Sequence, residues 1–308
     1  MGAGWVAGVT RARAMLSRAL GRERAEQVAS APGLDDAVRS LSATAYGHDL
    51  LPGACLADAQ RAVGATLLWN LRVLAGWQPQ AGATALRLLA SGFEIANTRD
   101  HLRALTGSGP PRAPYRLGTL ATAWPLLTRT RSPQELRASL AASAWGDPGA
   151  ASPAAVATGM RVSAAVRTGT ALPEAVRWAA GRLALLVGRE VFVAHRPMTR
   201  ASGRRAGRLL GAEAMTATSY QDFRQHLPTT ARWAVNGVES AGDLWRAEAR
   251  WWYRVEDDGR ELLRGARLGS APVVGAVAVL SADAWRVRGA LELAARGGGR
   301  LEVFDVPA

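Results

Sequence analysis

The chain has 308 residues, 48% of them hydrophobic, and sets 38 basic side chains against 25 acidic ones for a formal net charge of +13. That length can bury a sizeable core, while the single cysteine, Cys55, excludes an internal disulfide and a cysteine-built zinc site. Every basic residue apart from histidine is an arginine, which favours anionic partners; their spread along the chain also fits dispersed, solvated cations.

Residues 1–10 carry no positive charge ahead of an apolar run, so no secretory signal is expected there. From Asp36 to Gly47 the chain reads through Ser40, Leu41, Ala43, Thr44 and Tyr46. The same pattern returns 99 positions on, from Glu135 to Gly146, with Ser139, Leu140, Ala142, Ser143 and Trp145. A weaker third copy runs from Asp222 through Phe223 and Leu227 to Trp233. Repetition of this kind argues for a scaffold built from one diverged unit and against a single catalytic pocket.

Apolar residues at helical spacing follow each opening segment. Leu67, Leu68, Leu71 and Leu74 form one face, Leu86, Leu89 and Phe93 another, and Trp178, Leu183, Leu186 and Val187 a third. A second recurring element starts at Phe93 and Glu94, continues through Asn97 and His101 to Leu102 and Arg103, and stops at Gly107. Its counterparts start at Glu190, cut short by Pro197, and at Asp283, which Arg286 and Arg288 follow. Connections are expected at Pro32-Gly33, Pro52-Gly53, residues 107–114, residues 147–153 and Asp257-Asp258-Gly259. Valine-rich runs that could form strands occur only at residues 271–280 and 300–306. The longest uncharged run, residues 268–282, is too short to span a bilayer.

Between Leu244 and Val255, Leu244, Glu248, Trp251 and Val255 share one helical face with Trp245 and Trp252 beside it, and Arg246, Arg250 and Arg254 line the other. Such a stripe can stack on bases; core with a solvated arginine rim is the preferred reading. The four histidines, His48, His101, His195 and His226, stand singly, without metal-site spacing. Gly107-Ser108-Gly109 lacks the Lys and Ser or Thr of a phosphate-binding loop. A Gly-x-Ser-x-Gly nucleophile elbow is missing, so no catalytic, metal or cofactor residue is assigned. Glu94 with Asn97, and Asp283 with Arg286, lie three apart on a helix face, and their recurrence points to packing.

These residues carry a family likeness. Glu94, Asn97, Leu102 and Arg103 resemble the acid-x-x-Asn then Leu-Arg signature of the C-subunit family of V-type and A-type rotary ATPases, whose eukaryotic V-ATPase members are the d-subunits. Leu41 to Tyr46 resembles that family's Leu-x-x-Thr-x-Tyr segment, Leu117 to Leu120 its Pro-Gly-x-Leu turn, and residues 268–276 with 283–288 its apolar segment followed by an acidic, arginine-containing helix. In the middle copy Val193 stands where Asn97 stands in the first.

The resemblance implies an all-α protein of three pseudo-repeated helical bundles in a funnel: residues 1–108, 109–210 (degenerate) and 211–308. It implies a non-catalytic connector that seats the central stalk on the membrane proteolipid ring and passes torque between them. The work would be done at the cytoplasmic face of the membrane, peripherally, with no cofactor and no direct nucleic-acid contact. Tyr46, Glu94, Asn97, Arg103, Glu190, Asp283, Arg286 and Arg288 are the signature or interface candidates, and Arg103 and Arg288 are expected to steer an acidic stalk partner. The competing reading is an arginine-rich helical adaptor for nucleic acid or anionic lipid.

Overall fold

The protein is all-α among the described residues, which in this computed structural model are 3–109, 111–265 and 268–301. Alanine, leucine and arginine dominate the periodic stretches, and these are strong helix formers. The valine-rich run 271–280 is helical too, inside Ser270–Ala294; residues 302–306 of the other valine-rich run lie outside the described residues. No helix among the described residues is long and apolar enough to cross a membrane.

Packing divides the chain into two compact units, Met1–Leu86 with Trp252–Ala308, and Arg87–Trp251. The segments 1–108, 109–210 and 211–308 are defined by repetition of pattern, a different criterion from shared packing.

The first unit is organised around Ser270–Ala294, a helix buried on nearly every side from Pro272 to Leu280. An all-round apolar helix has to sit inside a protein, and this one packs against Ala3–Met15, Arg22–Ala29, Leu34–Ser42 and Leu56–Ala75. The core joins Val28, Val38, Leu41, Tyr46 and Val63 to Val287 and Leu291. The family likeness implies an apolar segment followed by an acidic, arginine-containing helix here. The two are one continuous helix, because nothing between Ala276 and Asp283 breaks it.

Asp257-Asp258-Gly259 is likewise not a connection but the interior of Leu244–Arg264. Gly259 serves close approach instead: a Cβ there would lie 2.8 Å from Ala278 Cβ and 3.0 Å from the Gly275 carbonyl oxygen. Of the other expected connections, Pro32-Gly33, Pro52-Gly53, residues 107–109 and 111–114 and residues 147–152 lie outside helices, while Pro153 opens the helix Pro153–Ala171. Gly53 takes φ +71°, and Gly107 takes φ +66° after Ser91–Leu105. The Ser108 amide donates to the Arg103 carbonyl at 2.8 Å and the Gly107 amide to the Ala104 carbonyl at 3.2 Å, which closes that helix in the left-handed manner glycine permits.

In the second unit, Ser91–Leu105, Val176–Val187 and Arg200–Leu210 pack on Pro153–Ala171. Ser132, Ser152, Thr199 and Ser219 each accept from a backbone amide three residues on, so four helix starts have side-chain caps. Ile95, Leu102, Leu127, Leu136, Leu140, Trp145 and Met160 form one core cluster. The tryptophan stripe follows the core reading in part: Leu244, Trp251 and Val255 are buried, whereas Trp245 is exposed beneath the Arg246 guanidinium. Glu248 is half-buried and paired with Arg182 at 2.5 Å and Arg189 at 3.2 Å.

Candidate functional site

Two buried carboxylates occupy matching surroundings, one in each unit. Glu94 is 1% exposed on Ser91–Leu105. Its carboxylate accepts from the Thr122 amide at 2.5 Å, the Ala123 amide at 2.8 Å and the Trp145 indole Nε1 at 2.7 Å. Asp283, also 1% exposed, lies on Ser270–Ala294. It accepts from the Leu20 amide at 2.8 Å, the Gly21 amide at 2.9 Å and the Tyr46 hydroxyl at 2.7 Å. In both, a helix-borne acid binds two consecutive backbone amides and one aromatic donor. A buried carboxylate is tolerated only when its oxygens are satisfied, and each of these acids has three donors.

The aromatic donors are delivered by the repeated segment itself. After Leu34–Ser42, Thr44 Oγ1 donates to the Leu41 carbonyl at 2.7 Å and accepts from the Tyr46 amide at 3.2 Å, and the Gly47 amide reaches the Thr44 carbonyl at 3.1 Å. After Pro133–Ala141, Ser143 Oγ does the same with Leu140 at 2.8 Å and Trp145 at 3.1 Å, and the Gly146 amide reaches the Ser143 carbonyl at 3.1 Å. The short hydroxyl side chain locks a turn, and the aromatic two residues later swings inward. The sequence repeat is thus a repeat of hydrogen bonds.

The third copy is built differently. Pro228 follows the short helix Tyr220–His226, the Arg232 guanidinium donates to the Leu227 carbonyl at 3.0 Å and to the Gln225 carbonyl at 2.8 Å, and Trp233 Nε1 donates to the Thr230 carbonyl at 2.9 Å. The third acid, Glu190, is buried on the π-helical turn Gly188–Val193 and is held by Arg196 through two hydrogen bonds of 3.0 and 3.1 Å. His195, at φ +50°, turns the chain back so that Arg196 can reach it.

Asn97 is buried and pairs with the backbone of Tyr115 in both directions, donating through Nδ2 to the carbonyl at 2.9 Å and accepting from the amide at 2.7 Å. Phe93 meets the Tyr115 ring edge-on at 5.1 Å. One turn of the Ser91–Leu105 helix therefore pins the extended chain that leads to Gly118–Leu120, where Gly118 takes φ +56°. Val193, at the matching place of the middle copy, has no side-chain amide for such a clamp. Arg286 is buried beside Asp283 and bonds to the buried Glu256, which also takes Arg260 at 2.5 Å. Two acids and two arginines balance there.

Arg103 and Arg288 stand apart from these networks. Both are exposed, and Arg103 reaches toward the Ser108 carbonyl at 3.4 Å. His101 is half-buried, with Nε2 3.1 Å from the Thr130 carbonyl, as a capping histidine would be. No group of three or more histidine, cysteine or acidic residues that could hold a metal ion occurs among the described residues. The aromatic donors Tyr46 and Trp145 and the amides at 20–21 and 122–123 complete the acid sites. Of these, Tyr46 alone stands among the signature candidates, although equal spacing within the repeat gives Trp145 the same signal.

Burial, followed by the Asp283 charge and the hydrogen bond to it, pushes the Tyr46 hydroxyl well above the usual tyrosine value, with Arg286 opposing. Burial pushes Glu248 up, and the cations Arg182, Arg189 and Arg161 outweigh that to hold it below its usual value. No protein-family profile matches the chain, and no curated protein matches it at a significant level.

Proposed function

We propose that this chain is the non-catalytic connector of a V/A-type rotary ATPase, seating the central stalk on the membrane proteolipid ring and transmitting torque, in the manner of the rotary ATPase C- and d-subunits it resembles. One observation carries the reading. The residues on which the likeness rests, Glu94 with Asn97 and Tyr46 with Asp283, are committed to clamping backbone and aromatic donors at matching places in the fold. Clamps of this kind make a body stiff, since each hydrogen bond to a buried charge contributes about 1.5 to 3 kcal/mol. Torque transmission asks for stiffness and a complementary surface, and asks for no tuned acid or base.

Exposed Arg103 and Arg288 remain the candidates for steering an acidic stalk partner. The test is co-expression with the stalk and proteolipid proteins encoded in the same genome, followed by affinity capture through this chain. Recovery of the stalk proteins is expected, with retention at moderate salt because shape complementarity dominates. Capture that never recovers a rotary ATPase component, or binding only to nucleic acid with a steep salt dependence, overturns the proposal.

A further inference from the structure

In the second unit, three arginines gather around one carboxylate. Arg182 on Val176–Val187 and Arg189 on the π-helical turn Gly188–Val193 both bond to Glu248, at 2.5 and 3.2 Å. Arg161 comes from Pro153–Ala171, which packs along Val176–Val187. It is half-buried, with no hydrogen bond or ion pair among the described residues. Burial, followed by the charges of Arg189 and Arg182, pushes it below the usual arginine value. Glu190 opposes them but is already committed to Arg196 through two hydrogen bonds. Three guanidiniums against the one carboxylate of Glu248 leave two positive charges without a counter-charge.

Arg167 and Arg205 are likewise pushed down by burial, but each stands near a carboxylate, Glu94 or Asp147, and each has an Nη1 sealed from solvent without a partner. No nitrogen of Arg161, Arg182 or Arg189 is sealed off in that way, so the donors that Glu248 leaves over are open to water. The backbone is unusual at the same place. Among the described residues, Gly188–Val193 is the only π-helical turn and His195 the only residue other than glycine at positive φ. Such irregularities concentrate at functional sites.

We infer that Arg161, Arg182 and Arg189 form a binding site for a phosphate monoester, with Glu248 holding two of the three in place. The inference rests on this cluster alone and stands apart from the connector reading. A half-buried cation kept beside two others destabilises the fold, and such a charge is retained where a ligand's opposite charge offsets it. A phosphate monoester carries about −1.5 to −2 of charge near pH 7 and offers three acceptor oxygens, which match the two uncompensated charges and the three guanidiniums. A carboxylate brings a single charge, and Glu248 already fills that planar place. Nucleic acid also brings one charge per phosphodiester, and its bases would need an open ring to stack on. The indole in this cluster, Trp251 at 5.3 Å from the Arg182 guanidinium, is buried.

The test titrates glycerol 3-phosphate into the full chain by isothermal calorimetry at fixed ionic strength, above about pH 7 where the ester is a dianion, with acetate as the control anion. One-to-one binding is expected, weaker by about tenfold or more in Arg161→Gln and by about fivefold or more in Arg189→Gln, at a more exposed side chain. It should change less than about twofold in Arg204→Gln, which alters an exposed arginine elsewhere in the unit. Without ligand, Arg161→Gln should melt at or above the wild-type temperature, because it relieves like-charge repulsion and abandons no partner. An arginine with a structural role would do the opposite. Vesicles containing phosphatidic acid separate the two sources of the ester. Vesicle binding that Arg161→Gln abolishes assigns a lipid headgroup to the site, and binding of glycerol 3-phosphate alone assigns a soluble ester. Failure to bind either, wild-type affinity in Arg161→Gln, or equal affinity for acetate overturns the inference. So does a lower melting temperature of ligand-free Arg161→Gln, or tighter binding of a single-stranded oligothymidine than of the monoester.

Discussion

Glu94 accepts three hydrogen bonds at once, and its removal leaves two buried donors and one half-buried donor behind. Each unsatisfied group costs about 1 to 3 kcal/mol, so Glu94→Ala should lower stability by about 3 to 5 kcal/mol after partial relaxation, measured as the midpoint shift in urea at constant slope. Glu190→Ala should cost clearly less, because the partner it abandons, Arg196, is exposed and can turn to water. Equal losses at the two positions would show that the middle acid does more than pair locally. Tyr46→Phe removes one of the three donors to Asp283 and should cost about 1 to 2 kcal/mol near neutral pH. The hydroxyl's pKa is raised in the folded protein above its usual 10. Its contribution is therefore complete below about pH 10, where the unfolded chain keeps the proton too, and is lost as pH rises toward the folded value. Above about pH 10 the stability of the wild type should fall faster than that of Tyr46→Phe, whose curve lacks this ionisation. Parallel curves would contradict the buried hydrogen bond.

Elements were legible where the sequence signal was local. The helix stop at Gly107, the turn glycine Gly53 and the faces at residues 67–74 and 178–187 follow from residue type and spacing, because φ above zero and a 3.6-residue period leave marks that need no tertiary knowledge, whereas the face expected from Leu86, Leu89 and Phe93 is split between Gln80–Leu89 and Ser91–Leu105. Gly259 misleads for a physical reason. A glycine between two aspartates and an arginine reads as a turn, and only the partner helix reveals that its missing Cβ is required. The valine run at 271–280 misleads toward a strand in the same way, since burial on all sides overrides β propensity. The contact between Leu244–Arg264 and Ser270–Ala294 is narrow enough to test. A Cβ on Gly275 would come within 2.5 Å of the Gly259 carbonyl oxygen and 3.0 Å of Leu262 Cβ. Backbone cannot step aside as a side chain can, so Gly275→Ala should cost about 1 to 3 kcal/mol even though alanine is the better helix former. A thermal melt at or above the wild-type temperature would show that the helices are not in contact there.

Across the full chain, repetition of sequence and division of packing differ, and the acid sites explain how. Tyr46 and Leu20 come from the first copy but meet Asp283 from the last, within one packing unit. Glu94 from the end of the first copy meets Ala123 and Trp145 from the second, within the other unit. Each clasp thus joins the second element of one stretch to the opening segment of another, a long-range pairing no local pattern announces. Hydrogen exchange can separate the two divisions. Amides that open locally are governed by the contacts of their own cooperative unit. Asp283→Asn should therefore speed exchange in residues 3–86 and 252–301, including the helix Leu34–Ser42 far away in sequence. Glu94→Gln should act within residues 87–251, including Pro133–Ala141. Protection lost along 1–108 alone in Glu94→Gln, or along 211–301 alone in Asp283→Asn, would mean that the consecutive copies, and not the clasped units, are what unfolds together.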